Sequence, residues 1–131
     1  MLSHNNKQLG SAFEVQFCDA LARNRFWVHF ISQNKSGQPA DIIAVKNKKA
    51  FLIDCKVCTN GYFLTSRVEV NQELAMNRWE HICGNGTGWF ALKLPDTVYM
   101  LAFAHIDLTK KRVGLDDAIL LEEWIKHAST D

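Results

Sequence analysis

The sequence predicts one α+β or mixed-sheet α/β domain, and three observations support this prediction. The chain has 131 residues, 47% of them apolar, which is enough to bury the core of a domain of ordinary size. Apolar residues recur at helical spacing near both termini and in the middle of the chain. Between these stretches lie short aromatic and β-branched runs joined by connections of hairpin length. The predicted order is αβββαββα, over residues 1–131, with a flexible tip at 1–7 and a polar tail at 128–131.

The first half of the chain reads as one helix followed by three strands. Residues 9–24 carry apolar side chains at helical spacing and form the first predicted helix. Residues 26–31 are aromatic and β-branched and predict a strand, whereas residues 32–40 have the composition of a loop. Residues 41–45 and 50–56 are apolar runs separated by a short polar connection, so they are expected to pair as an antiparallel hairpin.

The second half reads as two helices with a hairpin between them. Residues 71–83 show a near-helical apolar period that stops at Gly84. Residues 88–94 and 98–104 flank a Pro-Asp-Thr turn and predict two further strands. Residues 115–127 begin with acidic residues and end with basic ones, which matches the dipole of a helix.

Charge and composition exclude several classes of protein. Fifteen Lys and Arg oppose fourteen Asp and Glu, so the formal charge is +1 and neither a histone-like protein nor an acidic disordered one fits. No apolar run approaches the roughly 18 to 20 residues of a membrane span, and the amino terminus lacks the apolar segment of a signal peptide. We therefore expect a cytoplasmic protein with reduced cysteines and without a membrane partner.

Charged residues occupy positions where the strand pattern predicts apolar ones. In strand 50–56, Asp54 and Lys56 share a face because strand side chains alternate. If the hairpin turn centres on Asn47 and Lys48, paired positions sum to 95 and Asp41 lies opposite Asp54; a shift by one residue places it opposite Cys55 instead. In either register the two carboxylates lie at the same end of one hairpin.

Glu14 supplies a third acid. On a helix it lies within about 40° of Gly10, Cys18 and Leu21, at the margin of the face that packs on the sheet. Three carboxylates converging with Lys56 are the ligands that a hard cation such as Mg²⁺ requires. Taken singly, each of these residues is better explained as a solvated or turn residue; taken together, they favour a site.

The four motifs that carry these residues resemble a known superfamily. They are Gly10-x-x-Phe13-Glu14, Ser36-Gly37-x-Pro39-Ala40-Asp41, Asp54-Cys55-Lys56 and Asn71-Gln72. In this order the motifs resemble the PD-(D/E)XK nucleases, and among these the Holliday junction resolvases of the RecU and archaeal Hjc kind, over roughly residues 7 to 104. Two features differ from the commoner pattern: Asp54 stands where many relatives have Glu, and the long stalk insertion of RecU is absent.

The resemblance implies a restriction-endonuclease-like αβββαβ core, with a mixed central sheet flanked by helices, and a metal-dependent DNA endonuclease. The implied metal is Mg²⁺, with Mn²⁺ as a substitute, and the implied ligands are Glu14, Asp41, Asp54 and the backbone carbonyl of Cys55. Lys56 would be the catalytic lysine and Gln72 would orient a group at the site. The expected DNA contacts, from the resemblance and from the clustering of basic residues, are Lys7, Ser36, Lys48, Lys49 and Arg67.

The expected partners are branched, four-way junction DNA and a second copy of the chain, with no small-molecule substrate. A junction is resolved by two symmetric cuts, which calls for two sites related by a twofold axis. Apolar surface for the dimer is predicted in the second hairpin and the last helix, at Trp89, Phe90, Tyr99, Phe103, Leu120, Leu121 and Trp124. Any tryptophan that remains exposed could instead stack on a base at a branch point.

Three alternatives remain open from the sequence. Another structure-specific nuclease of the same superfamily, of the VRR-NUC or restriction-like kind, would use the same chemistry on a different substrate. A non-catalytic DNA-binding module would keep the fold, although the complete set of acids with Lys56 argues against it. A zinc or redox role for Cys55 and Cys58 is disfavoured because no second cysteine pair follows them.

Overall fold

A computed structural model of the chain describes residues 6–31 and 38–130, with side chains described from residue 12 onward. Within these residues the chain forms three α-helices and eight strands, and a π-helical turn (Arg78–Ile82) extends the second helix. In chain order the elements are α1 (Asn6–Arg23), β1 (Trp27–Phe30), β2 (Ile42–Lys46), β3 (Lys49–Val57), β4 (Tyr62–Leu64), α2 (Val70–Asn77), β5 (Trp89–Lys93), β6 (Val98–Ala102), β7 (Arg112–Gly114), β8 (Ile119–Leu120) and α3 (Leu121–Ala128).

Six strands form one mixed sheet in the order β1-β2-β3-β5-β6-β8. Strands β3 and β5 are parallel, and every other neighbouring pair in this sheet is antiparallel. The parallel pair requires a crossover, which α2 supplies between β3 and β5. The predicted fold class, an α+β domain with a mixed sheet and flanking helices, is confirmed.

The β2–β3 hairpin has the first of the two registers that the sequence leaves open. Its pairs run from Ile42↔Ile53 to Lys46↔Lys49, so paired positions sum to 95. The turn residues Asn47 and Lys48 have φ values of 52° and 67°, the left-handed pair that a two-residue hairpin turn needs. Asp41 lies one residue before this ladder, where its N–H donates to the carbonyl of Ile53 at 3.1 Å.

Each face of the sheet has its own hydrophobic cluster. Helices α1 and α3 cover one face, and their cluster includes Phe13, Phe17, Ile53, Cys55 and Trp124. Helix α2 and the small β4–β7 sheet cover the other face, and the cluster there includes Leu52, Phe63, Met76, Phe90 and Leu101. Because side chains alternate along a strand, Asp54 lies on the α2 face with Leu52.

The prediction that Trp124 and Phe90 form part of a dimer surface is wrong. Trp124 packs among Phe26, Phe51 and Trp89, and it is 2% exposed. Phe90 packs between Phe63 and Phe103 and is fully buried. These rings fill the two clusters because a six-stranded sheet needs apolar cover on both faces, so they are not available to a partner chain.

The carboxy-terminal region also differs from its prediction. The predicted helix over 115–127 begins only at Leu121, because Ile119 and Leu120 extend the sheet by pairing with Met100 and Tyr99. The predicted polar tail is held in place at Ser129, which accepts a hydrogen bond from Lys46 Nζ at 2.8 Å.

At the amino-terminal end, residues 6 and 7 of the predicted flexible tip belong to α1. No helix within the described ranges is long and apolar enough to cross a membrane.

Candidate active site

Asp54 and Lys56 form an ion pair in the carboxy-terminal half of β3. Asp54 is 1% exposed, and its Oδ2 lies 3.1 Å from Lys56 Nζ. The pKa of Asp54 is raised to about 7, mainly by burial and in addition by the negative charge of Asp41, while Lys56 opposes the shift. Within the described part of the chain, Oδ2 has this ionic contact but no well-aligned hydrogen-bond donor. A buried carboxylate oxygen in this state has an acceptor position available for a cation.

Asp41 lies at the open end of the hairpin and is held from two sides. Its Oδ2 accepts a hydrogen bond from the backbone N–H of Cys55 at 2.8 Å. Its Oδ1 accepts a hydrogen bond from Nε2 of Gln38, which is also buried. These two bonds fix the carboxylate of Asp41 beside the segment that carries Asp54 and Lys56.

Glu14 approaches the same carboxylate from α1. Its neighbours Phe13 and Phe17 are buried and Val15 is exposed, so Glu14 lies at the margin of the packed face, as the sequence predicts. The pKa of Glu14 is raised to about 7, mainly by burial and in addition by the charge of Asp41 and a hydrogen bond with it, while Lys56 acts in the opposite direction. Asp41 therefore couples electrostatically to both Glu14 and Asp54.

Gln38 is a site residue that the sequence reasoning missed. Besides its bond to Asp41, its backbone carbonyl accepts a hydrogen bond from Nδ2 of Asn71 in α2. Its Oε1 is buried without a hydrogen-bond partner among the described residues. The sequence indicates Gln38 only by its position three residues before Asp41. An amide side chain in a predicted loop is common, so the pattern alone does not identify it as a site residue.

Gln72, the predicted orienting residue, has a structural contact. It is 3% exposed, and its Oε1 accepts a hydrogen bond from the backbone N–H of Glu69 at 3.1 Å. In return, Glu69 accepts from the N–H of Gln72, which completes a capping box at the start of α2. Within residues 6–31 and 38–130, no hydrogen bond joins Gln72 to the carboxylates; its neighbour Asn71 makes the link to the site loop through Gln38.

The predicted DNA-contacting residues have different environments. Lys48 is exposed in the hairpin turn, whereas Lys49 donates through Nζ to the carbonyl of Thr130. Arg67 is half-buried, and its Nη1 donates to the carbonyl of Val57 at 2.7 Å, where it supports the end of β3. The side chain of Lys7 and the whole of Ser36 lie outside the described residues.

Cys55 and Cys58 are free and buried. Burial raises the pKa of both thiols, so neither is poised to form the thiolate that zinc binding or redox exchange needs. Arg67 lies near Cys58, with its Nη1 3.6 Å from Sγ, and it opposes the shift there without reversing it. The backbone N–H of Cys55 serves Asp41, which gives this position a role independent of its side chain.

The donor chemistry at this place fits a hard divalent cation. Glu14, Asp41 and Asp54 offer carboxylate oxygens, the type of ligand that Mg²⁺ prefers. The side chains described here do not already form a closed group of three or more metal ligands. Asp41 and Asp54 instead engage protein donors, namely Gln38, the Cys55 N–H and Lys56. A cation would therefore compete with these donors and relieve the repulsion among the acids.

Comparison with known proteins identifies a similar fold. No protein-family model matches the chain, and no curated protein is similar to it in sequence. Among solved structures, the chain is similar to Hjc, a Holliday junction resolvase from the archaeal hyperthermophile Archaeoglobus fulgidus, with a TM-score of 0.71 and 16% identity. The match covers 88% of this chain and 99% of the Hjc chain. The resemblance to the Hjc kind that the motifs predict is confirmed at the level of the fold.

Proposed function

We propose that this chain is a metal-dependent endonuclease that cuts branched DNA, in the manner of a Holliday junction resolvase. The observation that carries the proposal is the placement of Asp41, Asp54 and Lys56 at one end of the β2–β3 hairpin, in a fold shared with Hjc. Two buried acids beside a lysine are costly to keep for structure alone, because burial disfavours their charged forms. A catalytic role explains why this chain retains them.

The metal we propose is Mg²⁺, which Mn²⁺ could replace. When bound, such an ion lowers the pKa of a water molecule and offsets the charge of a phosphodiester. Asp41 and Asp54 would hold it, with Glu14 from α1 and the Cys55 carbonyl as further ligands. These oxygens are drawn from one hairpin and one helix, so the fold itself sets their relative positions.

Lys56 acts on the DNA side of the same site. Its ammonium group now neutralises Asp54 at 3.1 Å. If Asp54 held a cation, Lys56 would be available to hold an oxygen of the scissile phosphate or to orient the attacking water. The attack breaks the bond to the 3′ oxygen, so the products carry a 5′-phosphate and a 3′-hydroxyl.

Gln38 and Asn71 position Asp41 from the α2 side. Gln38 donates to Asp41 Oδ1 and is itself anchored to α2 by Asn71. Gln72 contributes to this arrangement only indirectly. Its capping bond to the Glu69 N–H stabilises the start of α2, the helix that carries Asn71. Helix α2 is thus tied to the carboxylate through two consecutive hydrogen bonds.

We also propose that the functional unit is a homodimer. Two symmetric cuts resolve a four-way junction, and the described residues of one chain form one acid cluster. Several large apolar side chains remain exposed around α2 and are available for such a contact, at Leu64, Val70, Leu74, Ile82 and Leu108. Light scattering is expected to give about twice the 14.9 kDa chain mass at micromolar concentration.

The experiment that tests this function compares three DNA substrates with and without Mg²⁺. A labelled four-way junction, a linear duplex of the same sequence and single-stranded DNA are incubated with the protein and with its Asp54→Asn variant. The proposal expects symmetric Mg²⁺-dependent cuts in the junction and none with the variant. Equal cutting of linear duplex by a monomer would favour a general nuclease, and junction binding without any cut would favour a non-catalytic module.

A further inference from the structure

Two aromatic side chains lie exposed and parallel on the edge strand of the main sheet. Trp27 is 60% exposed, and its ring lies 5.9 Å from that of His29, at an interplanar angle of 8°. His29 is exposed as well. Neither belongs to the two clusters that form the core. An exposed tryptophan face of this size is available for stacking with another flat group.

This aromatic pair shares a sheet face with Asp54. Trp27 pairs with Val45 and His29 with Ile43 across β1 and β2. Ile43 pairs in turn with Leu52 of β3, and Asp54 follows two residues later, so it lies on the same face. Each two-residue step along a strand covers about 6.6 Å, and the two strand spacings from β1 to β3 add about 10 Å across the sheet, so His29 lies about 12 Å and Trp27 about 16 Å from Asp54.

Positive charge flanks the outer end of this pair. Arg25 lies in the turn before β1, and Lys48 lies in the turn after β2. The two turns meet, because Lys46 Nζ donates to the carbonyl of Asn24 at 2.7 Å. Arg25 and Lys48 are exposed, and neither forms an ion pair within the described part of the chain. A flat aromatic surface beside free cations is complementary to a base and its phosphates.

We propose that Trp27 and His29 form a stacking platform for one nucleobase of the bound DNA, a base that a branch point leaves unpaired or unstacked. This inference rests on the proposed function in that it assumes branched DNA at the acid site. At about 3.4 Å per nucleotide, the platform would take a base about three to five nucleotides from the scissile phosphate. Stacking of this kind is tolerant of sequence because every base has a π face.

A second copy of the chain fits this surface less well. Strand β1 is an edge strand, and pairing it with another β1 would satisfy its backbone groups. That contact would run along the edge of the sheet and would leave the rings of Trp27 and His29 uncovered on its face. A base stacked on the rings covers them directly.

The test uses a four-way junction with 2-aminopurine at successive positions near the cut, in Ca²⁺ so that the DNA stays intact. The wild-type protein is expected to quench the probe at one position about three to five nucleotides from the cut. Trp27→Ala is expected to lose this quenching and to bind the junction about five- to tenfold more weakly, whereas Trp27→Phe keeps most of both. The matched control is Phe30→Ala, which removes an exposed aromatic ring from the opposite face of β1.

Each outcome decides the question. Unchanged quenching and affinity in Trp27→Ala would overturn the platform, as would equal losses in Phe30→Ala. A change from dimer to monomer in Trp27→Ala, without a Trp27-dependent probe signal, would assign the surface to a second copy and would also overturn it. If the signal depends on Trp27 but Mg²⁺ produces no cleavage, the platform stands and the proposed function fails. Absence of DNA binding by the wild-type protein would overturn both.

Discussion

The carboxylate of Asp41 accepts a hydrogen bond from the backbone N–H of Cys55 at 2.8 Å. Cys55 lies between Asp54 and Lys56, so this single bond fixes Asp41 relative to both of its functional neighbours. The bond also closes the hairpin at the end where its regular ladder stops at Ile42↔Ile53. The same contact therefore serves the fold and the candidate site.

Replacing Asp54 by Asn is expected to abolish cleavage and to leave DNA binding largely intact. The amide keeps the shape of the side chain but removes the charge that would hold a cation. Removing a group that stabilises the transition state lowers rates by about a hundredfold or more. Single-turnover cleavage of a labelled junction measures the effect, with the exposed Asp116→Asn as the control. Full activity in Asp54→Asn would remove this residue from the mechanism.

Replacing Lys56 by Ala is expected to reduce turnover strongly without loss of metal binding. Lys56 lies 3.1 Å from Asp54, and removing a positive neighbour makes the carboxylates better ligands. Calorimetric titration with Mn²⁺ should give equal or tighter binding than in the wild-type protein, and Lys126→Ala on the surface of α3 is the control. Loss of Mn²⁺ binding in Lys56→Ala would contradict this role.

Replacing Gln38 by Ala is expected to lower the cleavage rate about tenfold while affinity for the junction changes little. The reason is that Asp41 loses the amide that donates to Oδ1 and positions this oxygen from the α2 side, while the bond from the Cys55 N–H to Oδ2 remains. The exposed Gln16→Ala on α1 removes the same side chain away from the acids. Equal rates for both variants would show that Gln38 does not position Asp41.

The stability of the metal-free protein is expected to decrease as pH rises from about 4 to about 7. Asp54 and Glu14 have pKa values raised to about 7, so in this range the folded state binds more protons than the unfolded state. Their unfavourable contribution is therefore largest above pH 7 and disappears below the unfolded pKa near 4.

The Asp54→Asn variant isolates this effect. It should melt above the wild-type protein at pH 8, with a difference of about 4 °C for each ~1 kcal/mol gained, and the gap should close near pH 4. Scanning calorimetry in EDTA at several pH values provides the measurement. A gap that is independent of pH would show that the carboxyl group of Asp54 is not destabilised by burial.

Arg67 and Lys48 were both predicted to contact DNA, but their replacement should have different effects: loss of Arg67 should reduce stability, and loss of Lys48 should reduce affinity for the junction. Arg67→Ala removes the hydrogen bond to Val57 and is expected to lower the free energy of unfolding by about 1–2 kcal/mol. Lys48→Gln removes an exposed charge, so stability should change by less than about 0.5 kcal/mol while junction affinity becomes weaker and less sensitive to salt. Denaturant unfolding and salt-dependent binding separate the two; the reverse pattern would contradict the assignment.

The sequence by itself determined the elements whose signals are local. Helix α1, the β2–β3 hairpin and the β5–β6 hairpin follow from apolar period and turn residues. The sequence leaves two registers open for the β2–β3 hairpin, and the left-handed φ values of Asn47 and Lys48 in the structure show which one is formed. In either register Asp41 and Asp54 lie at the same end of the hairpin, so the proximity of two of the three acids was predictable from the sequence. Glu14 was predictable as a residue at the margin of a packed helix face.

Only the tertiary structure decided the features that depend on distant parts of the chain. Strands β4, β7 and β8 are each two or three residues long and exist because a partner strand far along the chain pairs with them. Packing also buried Phe90 and Trp124, which the sequence had assigned to a dimer surface, and left Trp27 exposed on β1. The bond from Gln38 to Asp41 and the contact of Arg67 with Val57 arise in the same way. A pattern of residue types specifies period and polarity, but which polar group meets which partner is fixed only when helices and sheet pack.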